Sequence, residues 1–215
     1  MFNDKFGLTQ AVLDGRKTMT RRIIEIDEYV RFPIIRFRPL ENWEKKVVNP
    51  NYVFNGHVYA VYNELDLLCH FVKPRYEIGE VVAIAQSYKD SGYSPDSLDR
   101  HPKDLSIRGL MKDSAGWNNK MFVKSYACRH HIKIVNVKIE RLQDISDEDC
   151  LKEGIIHAYT DNNGTKIYHT PHTKRGYLST DVAQEAFAAL IDKVSGKGTW
   201  ESNPFVFAYE FVLVD

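Results

Sequence analysis

The densest cluster of groups able to do chemistry lies near the N-terminus, in the octet GRKTMTRR at residues 15–22. Arg16, Lys17, Arg21 and Arg22 bring cationic side chains together with no acid between them, and Thr18 and Thr20 add hydroxyls. Such a run raises a strong local positive potential. Guanidinium groups match phosphate or carboxylate through paired hydrogen bonds, and backbone N–H groups after a glycine can help to hold an anion. A solvated basic loop has the same charge pattern, so the setting of the octet decides between the two.

Three other constellations compete with it. Cys128, Arg129, His130 and His131 gather metal-ligating types, but neighbours on a strand point to opposite faces and no second ligand pair stands at zinc-finger spacing. They read as a strand end with surface imidazoles. His157, His169 and His172 lie in a polar stretch that reads as loop, and no metal or cofactor is expected. Tyr88, Trp117, Trp200 and Asn203 combine stacking faces with an amide, the groups that a base-binding pocket uses; Trp200 is equally suited to plugging a barrel end. The sequence has no nucleophile elbow, Walker-type loop or HExxH, which removes the main support for hydrolase, NTPase and metalloprotease readings of those kinds.

Bulk properties narrow the classes further. A chain of 215 residues with 43% hydrophobic content can build a real core, and one domain over 1–215 is expected. A formal net charge of zero argues against coating long duplex DNA and for a local patch or pocket. The widely spaced Cys69, Cys128 and Cys150, with no CxxC, read as reduced thiols. No signal peptide and no apolar run of membrane-spanning length is evident, so a cytoplasmic, membrane-free protein is expected.

The elements that must position the octet follow from periodicity. Residues 8–14 read as a short helix, capped by Thr9 and ended by Gly15. The octet then leads into an apolar run at Ile23, Ile24 and Ile26. Residues 28–55 read as irregular with one strand. Residues 57–63 and 67–72 read as a strand hairpin, and 81–85 as a short buried strand. Phe122 and Val123 suggest the start of another. Residues 132–143 form the clearest long strand; its apolar phase switches between Ile134 and Val135, which predicts a β-bulge. An acidic helix follows Ser146 and ends at Gly154. The stripe Val182, Ala183, Ala186, Phe187, Leu190, Ile191 and Val194 predicts the best helix. Residues 205–213 close the chain as a strand. Two polar stretches, 87–119 and 155–180, read as long loop insertions. Together these predict a mainly β, α+β fold: a partly closed β-barrel with peripheral helices.

At this level of detail the chain resembles ASCH-domain proteins, whose fold is related to the PUA domain, and in particular their phage-associated and Bacteroides-type members. GRKTMTRR after a short helix resembles their signature. GEVVAIAQ at residues 79–86, VKIERLQDISDEDCLKEGI at 137–155 and NPFVFAYEF at 203–211 resemble further segments in the same order. The resemblance implies a PUA-like barrel with a cleft that binds RNA or a nucleotide, lined by Arg16, Lys17, Thr18, Thr20, Arg21 and Arg22, with Gln86, Tyr88, Trp200 and Asn203 as further ligand contacts.

It also implies a sharper alternative. Some small members are amidohydrolases that remove the acetyl group from acetylated cytidine, using a G-x-K-x-x-T-x-R motif that falls here on Gly15, Lys17, Thr20 and Arg22. Lys17 would activate the Thr20 hydroxyl or a water, and Arg22 would stabilise developing negative charge. The partner glutamate of that motif is not found where expected: Lys133 and Gln86 occupy the two positions where relatives carry an acid. Protonating the leaving amine needs such a group, so binding ranks above hydrolysis. A third reading, a non-catalytic accessory protein of a phage or mobile element, rests on the two insertions as partner-recognition loops.

Overall fold

In the computed structural model, the residues described are 2, 4–26, 33–41, 43–44, 56–93, 116–120, 123–171 and 178–214. Among them the chain runs through α1 (Leu8–Leu13), β1 (Met19–Ile23), β2 (Ile34–Pro39), β3 (Tyr59–Asn63), β4 (Leu68–Val72), β5 (Val81–Ala83) and α2 (Tyr88–Ser91). It continues through β6 (His131–Arg141), α3 (Asp147–Lys152), β7 (Ile156–Thr160), β8 (Lys166–His169), β9 (Ser179–Thr180), α4 (Ala183–Ser195), α5 (Thr199–Ser202) and β10 (Phe205–Leu213). The fold is α+β, mostly sheet, and one sheet curls into a half-barrel with the helices at its periphery.

That sheet has the order β1-β10-β6-β5 and is antiparallel throughout. A second sheet, β2-β3-β4, faces it. Between them lies one apolar core: Val61 and Val72 meet Ile132, Ile134, Phe207, Tyr209 and Phe211. The other face of the first sheet carries a second core, in which Val206 packs with Phe187 and Leu190 of α4, Cys150 of α3 and Tyr168 of β8. Because β10 is buried on both sides, its sequence is apolar nearly throughout, as strands covered on two faces require.

The phase switch in β6 is a bulge. Phe211 pairs with Ile134 and Glu210 with Asn136, which leaves Val135 without a partner on β10. Before the bulge, Ile132 and Ile134 point into the barrel core. After it, Val137 and Ile139 take over that face, and Lys138 and Glu140 turn towards α3.

Several expectations are corrected. Helix α1 is not capped by Thr9: Gly7, at φ 65°, occupies the N-cap position, and the Thr9 hydroxyl bonds to the Asp4 carboxylate instead. Gly15 does end the turn, at φ 71°, where a side chain would be strained. The octet is not all loop, since Met19–Ile23 is already strand. Val123 begins no strand; Phe122 lies outside the described residues. The stretch 155–180, expected as a polar loop, contains a three-stranded antiparallel meander, β7-β8-β9. Its polarity concealed it because one side chain, Tyr168, carries most of the inward packing while its neighbours stay wet. In the stretch 87–119, α2 is closed by a capping box between Ser87 and Asp90, and Tyr88 and Tyr93 bury against Ala127; residues 94–115 lie outside the described residues. Among the described residues, no helix is long and apolar enough to cross a membrane.

Candidate functional site

Strand β1 sits at the edge of the half-barrel, and alternation sends its side chains to two different environments. Directly paired residues on antiparallel neighbours share a face. Thr20 therefore lies in a row with Tyr209 and Val137, and Arg22 with Phe207 and Ile139, on the barrel side. Arg21 lies in a row with Ala208 and Lys138, on the helix side.

On the helix side the cations are sealed. Lys17 is 3% exposed, and its ammonium donates to the Met19 carbonyl at 2.7 Å, the Glu153 carbonyl at 2.9 Å and the Glu153 carboxylate at 2.6 Å. Arg21 donates to Glu140 through Nη2 at 2.6 Å and Nε at 3.0 Å. It also reaches Asp149 at 3.1 Å and Glu153 at 3.0 Å. Lys138 completes the cluster, 2.7 Å from Asp149 and 2.9 Å from Glu140. The phenyl ring of Phe187 covers the Arg21 guanidinium, with 5.8 Å between guanidinium carbon and ring centre.

Local structure explains this geometry. Asp149 and Glu153 stand four residues apart, so both face the sheet from α3 and the turn that ends it. Gly154, at φ 104°, lets the chain turn away immediately after Glu153, and a β-carbon added there would lie 3.7 Å from the Lys17 side chain. The N–H of Thr18 donates to the Lys152 carbonyl at 2.9 Å, which fixes the octet to the same helix end.

Burial shapes the protonation of the cluster. It pushes the Lys17 ammonium below the ordinary lysine range, although Glu153 opposes the shift. For Asp149, burial alone would raise the carboxyl, but the hydrogen bond and charge of Lys138, with Arg21, hold it below its usual value. Burial pushes the Cys150 thiol up to about 12, which leaves it a packing residue rather than a nucleophile.

On the barrel side a cleft of about 550 Å³ opens between β1 and β10 on one wall and β4 on the other. Among the described residues, Arg21, Arg22, Lys73 and Arg75 line it, with one lining carboxylate, Glu25. Its apolar wall is built from Ile24, Phe71, Val72, Phe207 and Tyr209. The buried Tyr209 hydroxyl accepts the Arg75 N–H at 2.9 Å, anchoring the basic segment after β4 to the sheet. A smaller space of about 50 Å³ adjoins it, lined by Lys17, Thr20, Glu153 and the C-terminal half of α4; Arg21, Arg22 and Ser195 border both.

No family model, no curated protein and no solved structure matches this chain. The geometry therefore carries the functional argument.

The residues expected at the site divide sharply. Lys17, Thr20, Arg21 and Arg22 come together around the two spaces. Arg16 is exposed and paired with Asp14 at 2.8 Å. Thr18 serves through its backbone, donating to Lys152 and accepting from Phe211. The other four lie elsewhere. Gln86 is buried and accepts the Arg129 N–H. Tyr88 packs with Tyr93 and Ala127, with Trp117 against them. Trp200 stands edge-on to Phe187, 6.1 Å away, on the helix side. The Asn203 side chain accepts the Gln143 N–H at 2.9 Å. Lys133 is exposed between two inward-facing isoleucines and points away from the barrel. His157 and His169 sit on the meander; His172 lies outside the described residues. Among the described residues, no group of three His, Cys, Asp or Glu side chains could hold a metal ion.

Sequence reasoning missed Glu153, the carboxylate that Lys17 meets, as well as Lys73 and Arg75. For Glu153 a signal existed: the spacing of Asp149 and Glu153 on an acidic helix that had to pack against a sheet carrying Arg21.

Proposed function

We propose that this protein binds a nucleotide or a short segment of RNA in the cleft between β1, β10 and β4, with Arg22, Lys73 and Arg75 engaging phosphate. The observation that carries this reading is the charge of the cleft in a chain with no net charge. Among the described residues, Arg22, Lys73 and Arg75 face one lining carboxylate, Glu25, over an apolar floor, while Arg21 is engaged by its own carboxylates on the helix side. Low-dielectric walls lined by one sign of charge concentrate an anionic ligand, and the volume lies in the range of small-molecule sites. The resemblance of the octet to ASCH-domain proteins supports the same ligand class. Fluorescence titration with nucleoside monophosphates and short RNAs tests it. Binding weakens as salt rises, and Arg22→Ala costs about tenfold in affinity, the loss of about one charge-assisted contact. Affinity unchanged in both Arg22→Ala and Lys73→Glu discards the site.

A second reading, hydrolysis of an acetylated cytidine, is favoured by one specific observation: Lys17 meets a carboxylate, Glu153, beside a small space that Thr20 also lines. If the Lys17 ammonium first passes its proton to the Glu153 carboxylate it contacts, the neutral amine can take one from a hydroxyl or water and the resulting carboxyl group can return one to a leaving amine. That space is little larger than the volume of a water molecule in the liquid, about 30 Å³, so the substrate's acyl group would enter from the wider cleft. Incubation with acetylated cytidine, followed by chromatography, decides the matter. Cytidine above the level of a heat-killed control, lost in Glu153→Gln, supports hydrolysis; none above control rejects it.

A further inference from the structure

A second concavity, of about 520 Å³, lies between β2 and β3 on one side and β6 and β10 on the other. It is separated from the cationic cleft by an aromatic contact: Tyr59, which lines the second cleft, meets Phe207, which lines the first, with ring centres 5.9 Å apart. The walls differ in kind. Phe37, Tyr59 and Phe205 are all partly exposed, unlike Phe207 and Tyr209 at the first cleft, which are 5% and 0% exposed.

Arg141 is the distinctive group. Its guanidinium carbon lies 3.7 Å from the centre of the Phe205 ring. Nη1 donates to the Asn203 carbonyl at 3.1 Å, and Nη2 crosses to the facing sheet to donate to the Ile34 carbonyl at 3.3 Å. The result is a planar cation held by both sheets, stacked on one ring. A guanidinium plane so fixed is a stacking surface for a flat ring, and its ordering cost is met before a ligand arrives. Asp144 also lines the cleft, an acceptor for an amino group on a base edge. Glu140, the other lining carboxylate, is already engaged by Arg21 and Lys138.

Resting on the nucleotide-binding reading above, we infer that the ligand is single-stranded RNA rather than a mononucleotide. Its phosphates occupy the cationic cleft and a base stacks in the second cleft against Arg141 and Phe37. Aromatic and guanidinium platforms of this sort accept a base of any identity, while cations track the backbone. The division of labour matches the chemistry of the two walls.

The experiment is a comparison by length and by variant. Fluorescence anisotropy is measured for a labelled oligouridylate of about twelve nucleotides, with uridine monophosphate as competitor. The oligonucleotide is expected to bind at least about tenfold tighter than the monophosphate, because one stacked base contributes on the order of that factor. Phe37→Leu and Arg141→Lys, each checked for an unchanged melting temperature, are expected to lose that advantage and keep monophosphate affinity. Arg141→Lys retains the charge and removes the plane, so its effect separates stacking from electrostatics. Equal affinity for the two ligands overturns the inference and leaves the first cleft standing. An oligonucleotide advantage that survives in every folded variant overturns it as well. Failure of both ligands to bind overturns the nucleotide-binding reading together with it.

Discussion

Arg21 and Arg22 are adjacent residues of the same type on the same strand, yet they live in different electrostatic regimes. Arg21 faces the helices, 6% exposed, with three carboxylates within 3.1 Å. Arg22 faces the barrel side, partly exposed, where it borders a cleft with one lining acid among the described residues. The contrast separates the two tasks of the octet. Its helix-side cations fix the octet to α3 and β6; its barrel-side groups border the cleft. A buried ion pair often contributes little net stability compared with apolar packing, but losing one partner leaves the other charged and unsolvated. Arg21 is therefore tied to folding, and Arg22, partly exposed at the cleft, less so.

The largest expected effect comes from breaking the sealed side. Arg21→Met leaves Glu140, Asp149 and Glu153 without their shared cation and should destabilise the protein by about 3–5 kcal/mol, read from urea unfolding. A loss below about 1 kcal/mol would show that the carboxylates relax to water or to Lys138, and the comparison would collapse.

The next effect is on pH dependence. The folded-state pKa of Asp149 is lowered, so the unfolded chain takes up its proton first as pH falls. The stability this group contributes is complete above the ordinary aspartate range, about pH 4, and is lost as pH drops through the lower folded value. Asp149→Asn should flatten the acid limb of a stability profile measured from pH 6 to pH 2. An unaltered acid limb would mean that Asp149 takes no part in the coupling.

The smallest expected effect is that of Arg22→Ala on stability, within about 1 kcal/mol, as for a partly exposed side chain outside the core. A much larger loss would place Arg22 in the structural half of the octet and weaken its assignment to the cleft.

The sequence made this architecture readable where periodicity was strong. The closing strand, the stripe of α4, the bulge before Val135 and the cap at Ser146 all follow from alternation, helical spacing or a single polar cap. The site was half readable: the octet announced itself by charge, but its partners did not. Glu153 lies 136 residues from Lys17 in the chain, and a contact at that separation leaves no mark in either local pattern. Lys73 and Arg75 flank a proline just beyond β4, where a basic pair looks like any exposed turn until the facing strand supplies Tyr209. The placement of the aromatic candidates was hidden for a related reason. Tyr88 and Trp200 have the right chemistry for stacking on a base, but a ring is also the largest available packing unit: Tyr88 lies in a small core of its own, and Trp200 packs against the helix-side core.

The unpaired Val135 sets a rule for how this chain tolerates insertions and deletions. Removing that one residue would make Ile134 and Asn136 consecutive partners of Phe211 and Glu210, so the ladder would run regularly and every later side chain would keep its face. Keeping the residue while ironing out the bulge does the opposite: Val137 and Ile139 would face the cluster of carboxylates, and Lys138 and Glu140 would enter the barrel. Substitutions at this position are mild events, since the side chain is 41% exposed. The bulge thus absorbs one surplus residue of β6, and by doing so it holds the ion cluster and the cleft on opposite sides of the sheet.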